Sequence, residues 1–363
     1  MNRKDGFSQA ILDWYDRNAR ELPWRRLGGA HPEPYHVWLS EIMLQQTTVV
    51  TVKPYFNHFI SRWPQVSDLA AAELDEVLTA WAGLGYYARA RNLHKCAVAV
   101  CHNYGGSFPA DEAELLSLPG IGDYTAAAVS SIAFGKRAVV VDGNIERVVS
   151  RVYRIADALP QAKPVIKAHA DVLTPSDRAG DYAQALMDIG SGVCTPRNPK
   201  CELCPVASFC DGFSAGDAET FPQKAPKKKK PTRKAHIFWI ENGRGEVLVR
   251  RREESGLLGG MMEFPSTAWQ EQAPVPDEVE ALLTQIGVEG TSKPPVTTEL
   301  VRHTFTHFHL ELTPHVVKAG EAGGSGSNDA FWLAPDAFST IALPTLMKKV
   351  VQSVFKGQGS LDL

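Results

Sequence analysis

Residues 118–129 read Leu118-Pro119-Gly120-Ile121-Gly122-Asp123-Tyr124-Thr125-Ala126-Ala127-Ala128-Val129. Gly120 and Gly122, one residue apart, permit a tight hairpin, and the alanines after them start a helix that neighbours can approach closely. Backbone amides exposed at such a helix start bind a phosphate without reading base sequence. On these residues alone the stretch also describes a plain corner between two helices. It is followed by Val139-Val140-Val141-Asp142-Gly143-Asn144-Ile145-Glu146-Arg147, an apolar run that ends in a carboxylate at the head of another helix. Taken alone, Asp142 is a helix cap, a common role for aspartate.

Upstream and downstream of this segment the chain has helical texture. Ile11, Leu12, Trp14 and Tyr15 share one face, Leu74, Val77, Leu78 and Trp81 another, and 126–134 and 182–189 have the pattern of buried helices. The texture changes after residues 217–234, which hold three prolines and seven basic residues with little to bury, the composition of a linker. Its lysine run, 227–230, is either a phosphate-tracking element or a solvated charge run. Beyond it, 236–241, 246–252 and 305–313 have strand character, 278–286 that of a helix, and 323–328 that of a flexible loop. The organisation predicted is a helical domain over 1–216, a linker over 217–234, an α+β domain over 235–355 and a tail over 356–363.

Composition fits two globular domains. The 363 residues are 44% apolar and 22% charged, and no apolar run nears the roughly 18 residues of a membrane helix. The amino end carries charge without an apolar stretch behind it, so a cytoplasmic, membrane-free protein is expected. Charge is uneven: 28 Lys and Arg stand against 25 Asp and Glu through Lys234, and 10 against 16 from Ala235 onward. That asymmetry suits a first part that meets a polyanion and a second that does not.

Of six cysteines, Cys194, Cys201, Cys204 and Cys210 lie within one short segment, spaced C-x6-C-x2-C-x5-C. Four thiols this close in a cytoplasmic chain indicate a metal site rather than disulfides. Zinc sites usually pair two Cys-x-x-Cys knuckles, and only one such pair is present here. The wide outer gaps, holding Pro196, Pro199 and Pro205, favour an iron-sulfur cubane with separated corners, and zinc stays the alternative. Cys96 and Cys101, far upstream in a helical stretch, are expected to pack as small hydrophobes.

Hairpin, downstream aspartate and four-cysteine loop, in that order, resemble the helix-hairpin-helix DNA glycosylase superfamily that carries a four-iron four-sulfur cluster. Three further motifs resemble the MutY-type adenine DNA glycosylases: Leu22-Pro23-Trp24-Arg25, Ser40-Glu41-Ile42-Met43-Leu44-Gln45-Gln46-Thr47, and Gly83-Leu84-Gly85-Tyr86-Tyr87-Ala88-Arg89-Ala90-Arg91-Asn92. The match spans nearly the whole chain. It implies a monomeric enzyme that removes adenine opposite 8-oxoguanine or guanine in double-stranded DNA and holds a 4Fe-4S cluster on Cys194, Cys201, Cys204 and Cys210.

The resemblance also implies roles. Glycosidic cleavage draws on two carboxylates in different environments. Glu41, set among Trp38, Leu39, Ile42, Met43 and Leu44, is the proton donor to adenine if it lines a pocket; from its local sequence alone it reads as an exposed helical glutamate. Asp142 stabilises or traps the sugar cation, with Asn144 and Tyr124 ordering the groups around it. Superfamily members that also nick the strand carry a lysine where this chain has Tyr124, so base removal without an efficient lyase step is expected. Gln46, Thr47, Leu84 and Tyr86 match positions that fill the gap left by a flipped base and hold its partner. Arg20, Leu22, Trp24 and Arg25 match the border of the adenine pocket, and Arg89 and Arg91 are assigned to phosphates or acidic neighbours.

In the second domain, Gly259-Gly260-Met261-Met262-Glu263-Phe264-Pro265 echoes the opening of a Nudix box, but Glu280-Ala281 and Thr284-Gln285 leave too few carboxylates for magnesium. The domain therefore looks like a Nudix-like fold reused for recognition. Phe305, Thr306 and His307 resemble the family's Phe-Ser-His loop, with threonine replacing serine. Three rival functions follow from the same motifs: a bifunctional glycosylase and lyase for oxidised pyrimidines, a nucleotide pyrophosphohydrolase acting through the second domain, and a non-catalytic iron-sulfur DNA-binding or redox-sensing protein. Tyr124 counts against the first, the incomplete box against the second, and the presence of both Glu41 and Asp142 against the third.

Overall fold

The computed structural model describes residues 3–28, 30–226, 229–253, 256–285, 296–319 and 330–356. The expected loop at 323–328, Lys227 and Lys228 of the lysine run, and the tail after Lys356 lie outside the described residues. Two compact units emerge, and they do not follow chain order: one joins Met1–Ala72 to Asn92–Lys227, the other Glu73–Arg91 to Lys228–Leu363. Segment 73–91, which sequence order puts in the amino-terminal domain, groups with the carboxyl-terminal chain.

The first unit is helical. In Arg3–Asn18 the expected face is inside, with Ile11, Leu12 and Tyr15 buried and Trp14 half-buried. Helix Pro34–Leu44 begins with proline at its first turn, where the missing N–H costs nothing, and is apolar on nearly every side. It therefore sits in the core, burying Val37, Trp38, Leu39, Ile42 and Met43 together with Glu41. The quoted stretch forms the hairpin between Glu112–Leu116 and Asp123–Phe134. Gly120 has φ of +76°, and a Cβ there would lie 2.7 Å from Asn92 Cβ, so backbone conformation and space both require glycine. Helix Gly143–Val152 starts at the cap Asp142, and Ala179–Gly192 packs on it and on Asp123–Phe134.

Among its described residues the second unit carries seven strands: β1 (Thr232–Glu241), β2 (Val247–Arg251), β3 (Met262–Glu263), β4 (Val296–Thr297), β5 (Val301–Thr304), β6 (His309–Lys318) and β7 (Ala330–Leu333). They lie in the order β3-β2-β1-β6-β4, with β5 also on β6 and β7 on β2. β1 and β6 run parallel from Thr232 opposite His309 to Glu241 opposite Lys318. Alternation along β1 sorts the core into two layers. Ala235, Ile237 and Trp239 meet Leu346, Met347 and Val350 of helix Thr345–Lys356, while Phe238 and Ile240 belong with Leu282 of helix Pro276–Gln285.

Two sequence expectations change. Residues 305–308 are not strand: β5 pairs antiparallel with β6 with Thr304 opposite His309, so the chain must reverse between them. Phe305 N–H donates to the Phe308 carbonyl at 2.9 Å to close that turn. The linker is also shorter than its composition suggests. Ala218 and Phe221 are buried, Leu159 N–H donates to the Gln223 carbonyl, and β1 already begins at Thr232.

Candidate active site

A cavity of ≈ 580 Å³ opens in the first unit, and ten of the predicted site residues line it: Arg20, Leu22, Trp24, Arg25, Glu41, Gln46, Thr47, Tyr124, Asp142 and Asn144. Glu41 reaches it from a core helix and is only 5% exposed, so the exposed-glutamate alternative is excluded. Its Oε2 accepts a hydrogen bond of 2.5 Å from the Tyr124 hydroxyl. Burial pushes the Glu41 carboxyl up to about 7; Tyr124 opposes, Asp142 adds its negative charge, and Arg25 opposes. Tyr124 is half-buried, and the desolvation of its hydroxyl and the nearby Glu41 and Asp142 hold its phenol well above its usual range.

Asp142 has a different environment. One carboxylate oxygen accepts N–H bonds from Asn144 (2.9 Å) and Ile145 (2.7 Å) at the helix start, and the other accepts Asn144 Nδ2 (2.8 Å). Burial raises its pKa above the ordinary aspartate value, and these three donors and Arg147 offset part of that rise. One carboxyl with a single hydroxyl donor thus faces the cavity beside another with three N–H donors at a helix N-terminus. The first holds a proton near neutral pH, and the second has the partners that stabilise negative charge.

The four arginines predicted to contact DNA are engaged within the protein. Arg25, whose side chain is 5% exposed, makes a bidentate pair with Asp188 (2.7 and 2.9 Å), and Arg20 Nε binds the same carboxylate at 2.6 Å. Gln46 is exposed at the rim with φ of +60°, and Thr47 is half-buried. In the second unit, Leu84 is buried, and the half-exposed Tyr86 stands at φ of +49° with its hydroxyl 3.1 Å from Thr306 Oγ1. Arg89 donates to the carbonyls of Leu84 and Gly85, and Arg91 to that of Gly259, so both hold backbone in the free protein. Phe305 packs on Trp269, and Thr306 and His307 are the exposed tip of the 305–308 turn. Lys230, from the lysine run, donates to the Phe305 carbonyl at 3.0 Å.

Sequence inspection missed Asp188, Arg147 and Arg151. Arg147 joins the cavity to the cysteine segment: it donates to Asn144 Oδ1 (2.9 Å), to the Gly190 carbonyl (2.5 Å) and, through Nε, to the Cys194 carbonyl (2.7 Å). A Cβ at Gly190 would fall 2.5 Å from Asn144 Cβ, so the close approach of the two helices needs glycine there. One turn on, the buried Arg151 donates to Cys194 Sγ (3.2 Å) and to the carbonyls of Thr195, Pro196 and Phe221. The only available signal was two arginines four apart on one helix face, a weak hint of a shared anionic or carbonyl-rich partner.

Cys194, Cys201, Cys204 and Cys210 are all free thiols, half-buried around two short 3-10 turns. Burial pushes Cys204 up to about 12, and Cys194, Cys210 and Cys201 each add repulsion, so a positively charged centre is needed to keep four thiolates together. Arg151 and the Phe213 N–H supply donors to the sulfurs. This donor set fits an iron-sulfur cluster. In the second unit, Glu263 is buried and paired with Arg250 and Arg252, so the one carboxylate of the Nudix echo that faces inward is neutralised by guanidinium groups.

Three family descriptions match the chain: HhH-GPD superfamily base excision DNA repair protein over 39–175, iron-sulfur binding domain of endonuclease III over 194–210, and NUDIX domain over 236–353. The fold is a helix-hairpin-helix glycosylase domain with an iron-sulfur loop, followed by an α+β Nudix-like domain, which places the chain among the base-excision DNA glycosylases. A solved thermostable thymine-DNA glycosylase is 31% identical, with a TM-score of 0.52, covering 59% of this chain and 97% of its own. Adenine DNA glycosylase of Homo sapiens is 35% identical over 97% of this chain and 74% of its own length. That of Buchnera aphidicola subsp. Schizaphis graminum is 32% identical over 96% and 99%. The chain belongs to the adenine DNA glycosylase family. It is an N-glycosyl hydrolase of DNA repair and carries the iron-sulfur cluster on its cysteine loop. No helix among the described residues is long and apolar enough to cross a membrane.

Proposed function

We propose that the protein hydrolyses the N-glycosidic bond of adenine opposite 8-oxoguanine or guanine in duplex DNA, and does so without cutting the strand. The observation that carries this reading is the buried Glu41 carboxyl, raised to about 7 and hydrogen-bonded to Tyr124, sharing a cavity with the helix-capping Asp142. A flipped adenine enters the cavity, and protonated Glu41 gives its proton to the imidazole-edge nitrogen of the base. The bond from C1′ to the base breaks, its electron pair leaving with adenine. Asp142 stabilises the resulting sugar cation or bonds to C1′. Water then attacks C1′, the Asp142–C1′ bond, where formed, breaks with its electron pair returning to the carboxylate, Glu41 takes the water's proton, and the products are free adenine and an abasic site. Asn144 orients the Asp142 carboxylate through its 2.8 Å bond. Tyr124 occupies the position of a lyase lysine and offers no amine for an imine. The cluster, when bound, ties the cysteine loop together, and Arg147 and Arg151 connect that loop to the helix behind Asp142.

Discrimination of the opposite base falls to Thr306 and His307, the exposed hydroxyl and imidazole beside Phe305 and Tyr86. 8-Oxoguanine adds a carbonyl and a ring N–H to guanine, and those two side chains supply a donor and an acceptor for them. The chain is expected to act as a monomer. The deciding experiment compares single-turnover adenine release from duplexes with adenine opposite 8-oxoguanine, guanine or thymine. Rapid release from the first, slower from the second and none from the third supports the reading. Equal release from all three removes the recognition role.

A further inference from the structure

We infer that Asp188 is a positioning residue for proton donation: by clamping the Arg25 guanidinium it limits the positive field that reaches the Glu41 carboxyl. The inference rests on Glu41 being the proton donor, as proposed above. Asp188 is 3% exposed on helix Ala179–Gly192 and takes both Nη groups of Arg25, at 2.7 and 2.9 Å, along with the backbone N–H (3.1 Å) and Nε (2.6 Å) of Arg20. Its partners come from a segment more than 160 residues away.

The charged and titratable groups acting on Glu41 come from three elements. Tyr124 reaches it from helix Asp123–Phe134, Asp142 from the cap of Gly143–Val152, and Arg25 from the chain before Pro34–Leu44; Asp188, Arg20 and Tyr15 stand around Arg25. Tyr124 and Arg25 favour the Glu41 carboxylate, which cannot donate a proton, and Asp142 disfavours it. A guanidinium with no carboxylate of its own would act at full charge and turn its fork toward Glu41. Asp188 prevents both: it cancels much of the charge and commits the fork elsewhere. Burial alone would lower the pKa of Arg25, but Asp188 holds it above the ordinary value, so the pair stays ionic.

The test is the pH dependence of single-turnover adenine release from DNA with adenine opposite 8-oxoguanine, measured for Asp188→Asn, Arg25→Gln and the double variant. Asp188→Asn should move the alkaline limb down by about one pH unit, a roughly tenfold loss at pH 8 with far less at pH 6. Arg25→Gln should move the limb the opposite way, and the double variant should return it close to wild type. A purely structural ion pair would lower the rate by the same factor at every pH, and that result, or single variants shifting in the same direction, overturns the inference. Should Asp188→Asn fail to fold, Arg25→Gln against the double variant carries the test, with an upward limb predicted only in the single variant. Glu41→Gln in the same assay separates the two claims: full activity there removes the donor itself, whatever Asp188 does.

Discussion

Replacing Glu41 by glutamine should stabilise the protein, and more so as pH rises. Burial without a full charge partner raises the Glu41 pKa from 4.5 to about 7 in the folded protein. A carboxyl raised on folding gives stability that is complete below its unfolded pKa and lost as pH climbs through the folded one. Linkage over that interval gives a cost of about 1 kcal/mol at pH 5 and about 3 kcal/mol at pH 8.5. Glutamine has nearly the shape of the neutral acid and can still accept the Tyr124 hydrogen bond, so it escapes the ionisation cost. At about 2–4 °C per kcal/mol for a unit of this size, the Tm gain of Glu41→Gln should be roughly 4–8 °C larger at pH 8.5 than at pH 5. Thermal unfolding of the cluster-loaded proteins, followed by near-ultraviolet circular dichroism, reads the difference. An equal Tm shift at both pH values would mean that Glu41 is not held in a desolvated, proton-retaining environment, and the acid assignment would lose its physical basis.

Changing Cys201 to serine should remove about four irons per chain and the broad absorption at roughly 400 nm; retention of both would show that Cys201 is not a ligand. Borohydride treatment during turnover should trap little covalent complex because Tyr124 offers no amine, and a strong adduct abolished by changing one lysine would reveal a lyase nucleophile. The double variant Thr306→Ala, His307→Ala should lose roughly five- to thirty-fold in preference for adenine opposite 8-oxoguanine, the equivalent of one or two hydrogen bonds of about 1 kcal/mol each. Equal losses opposite guanine would reassign the turn to general DNA binding.

Much of the site was legible because its signals are local. Gly120 is read from the tight turn it permits, Asp142 from its place before a helix, and the four cysteines from their spacing within one loop. The burial of Glu41 was not legible: the same helical heptad places a glutamate inside or outside according to what packs around it. Distant partners were equally hidden. Arg20 and Arg25 look like DNA contacts until Asp188 appears beside them, and Arg89 and Arg91 look like phosphate binders until their carbonyl partners are seen. In the second unit, alternation of aromatic and polar residues over 305–313 mimics a strand, and only the pairing of β5 with β6 shows that 305–308 must turn. Grouping of 73–91 with the carboxyl-terminal chain depends on contacts such as Arg251 with Asp75, 176 positions apart, which no local pattern encodes.

In the mechanism proposed, Glu41 and Asp142 break the glycosidic bond while the surrounding scaffold binds the duplex. The most direct measurement is single-turnover adenine release from DNA with adenine opposite 8-oxoguanine by Glu41→Gln and Asp142→Asn, alongside duplex affinity of the same preparations. Release should fall by at least roughly 10²–10⁴-fold in each variant, with affinity close to wild type. Near wild-type release by either variant would contradict that mechanism.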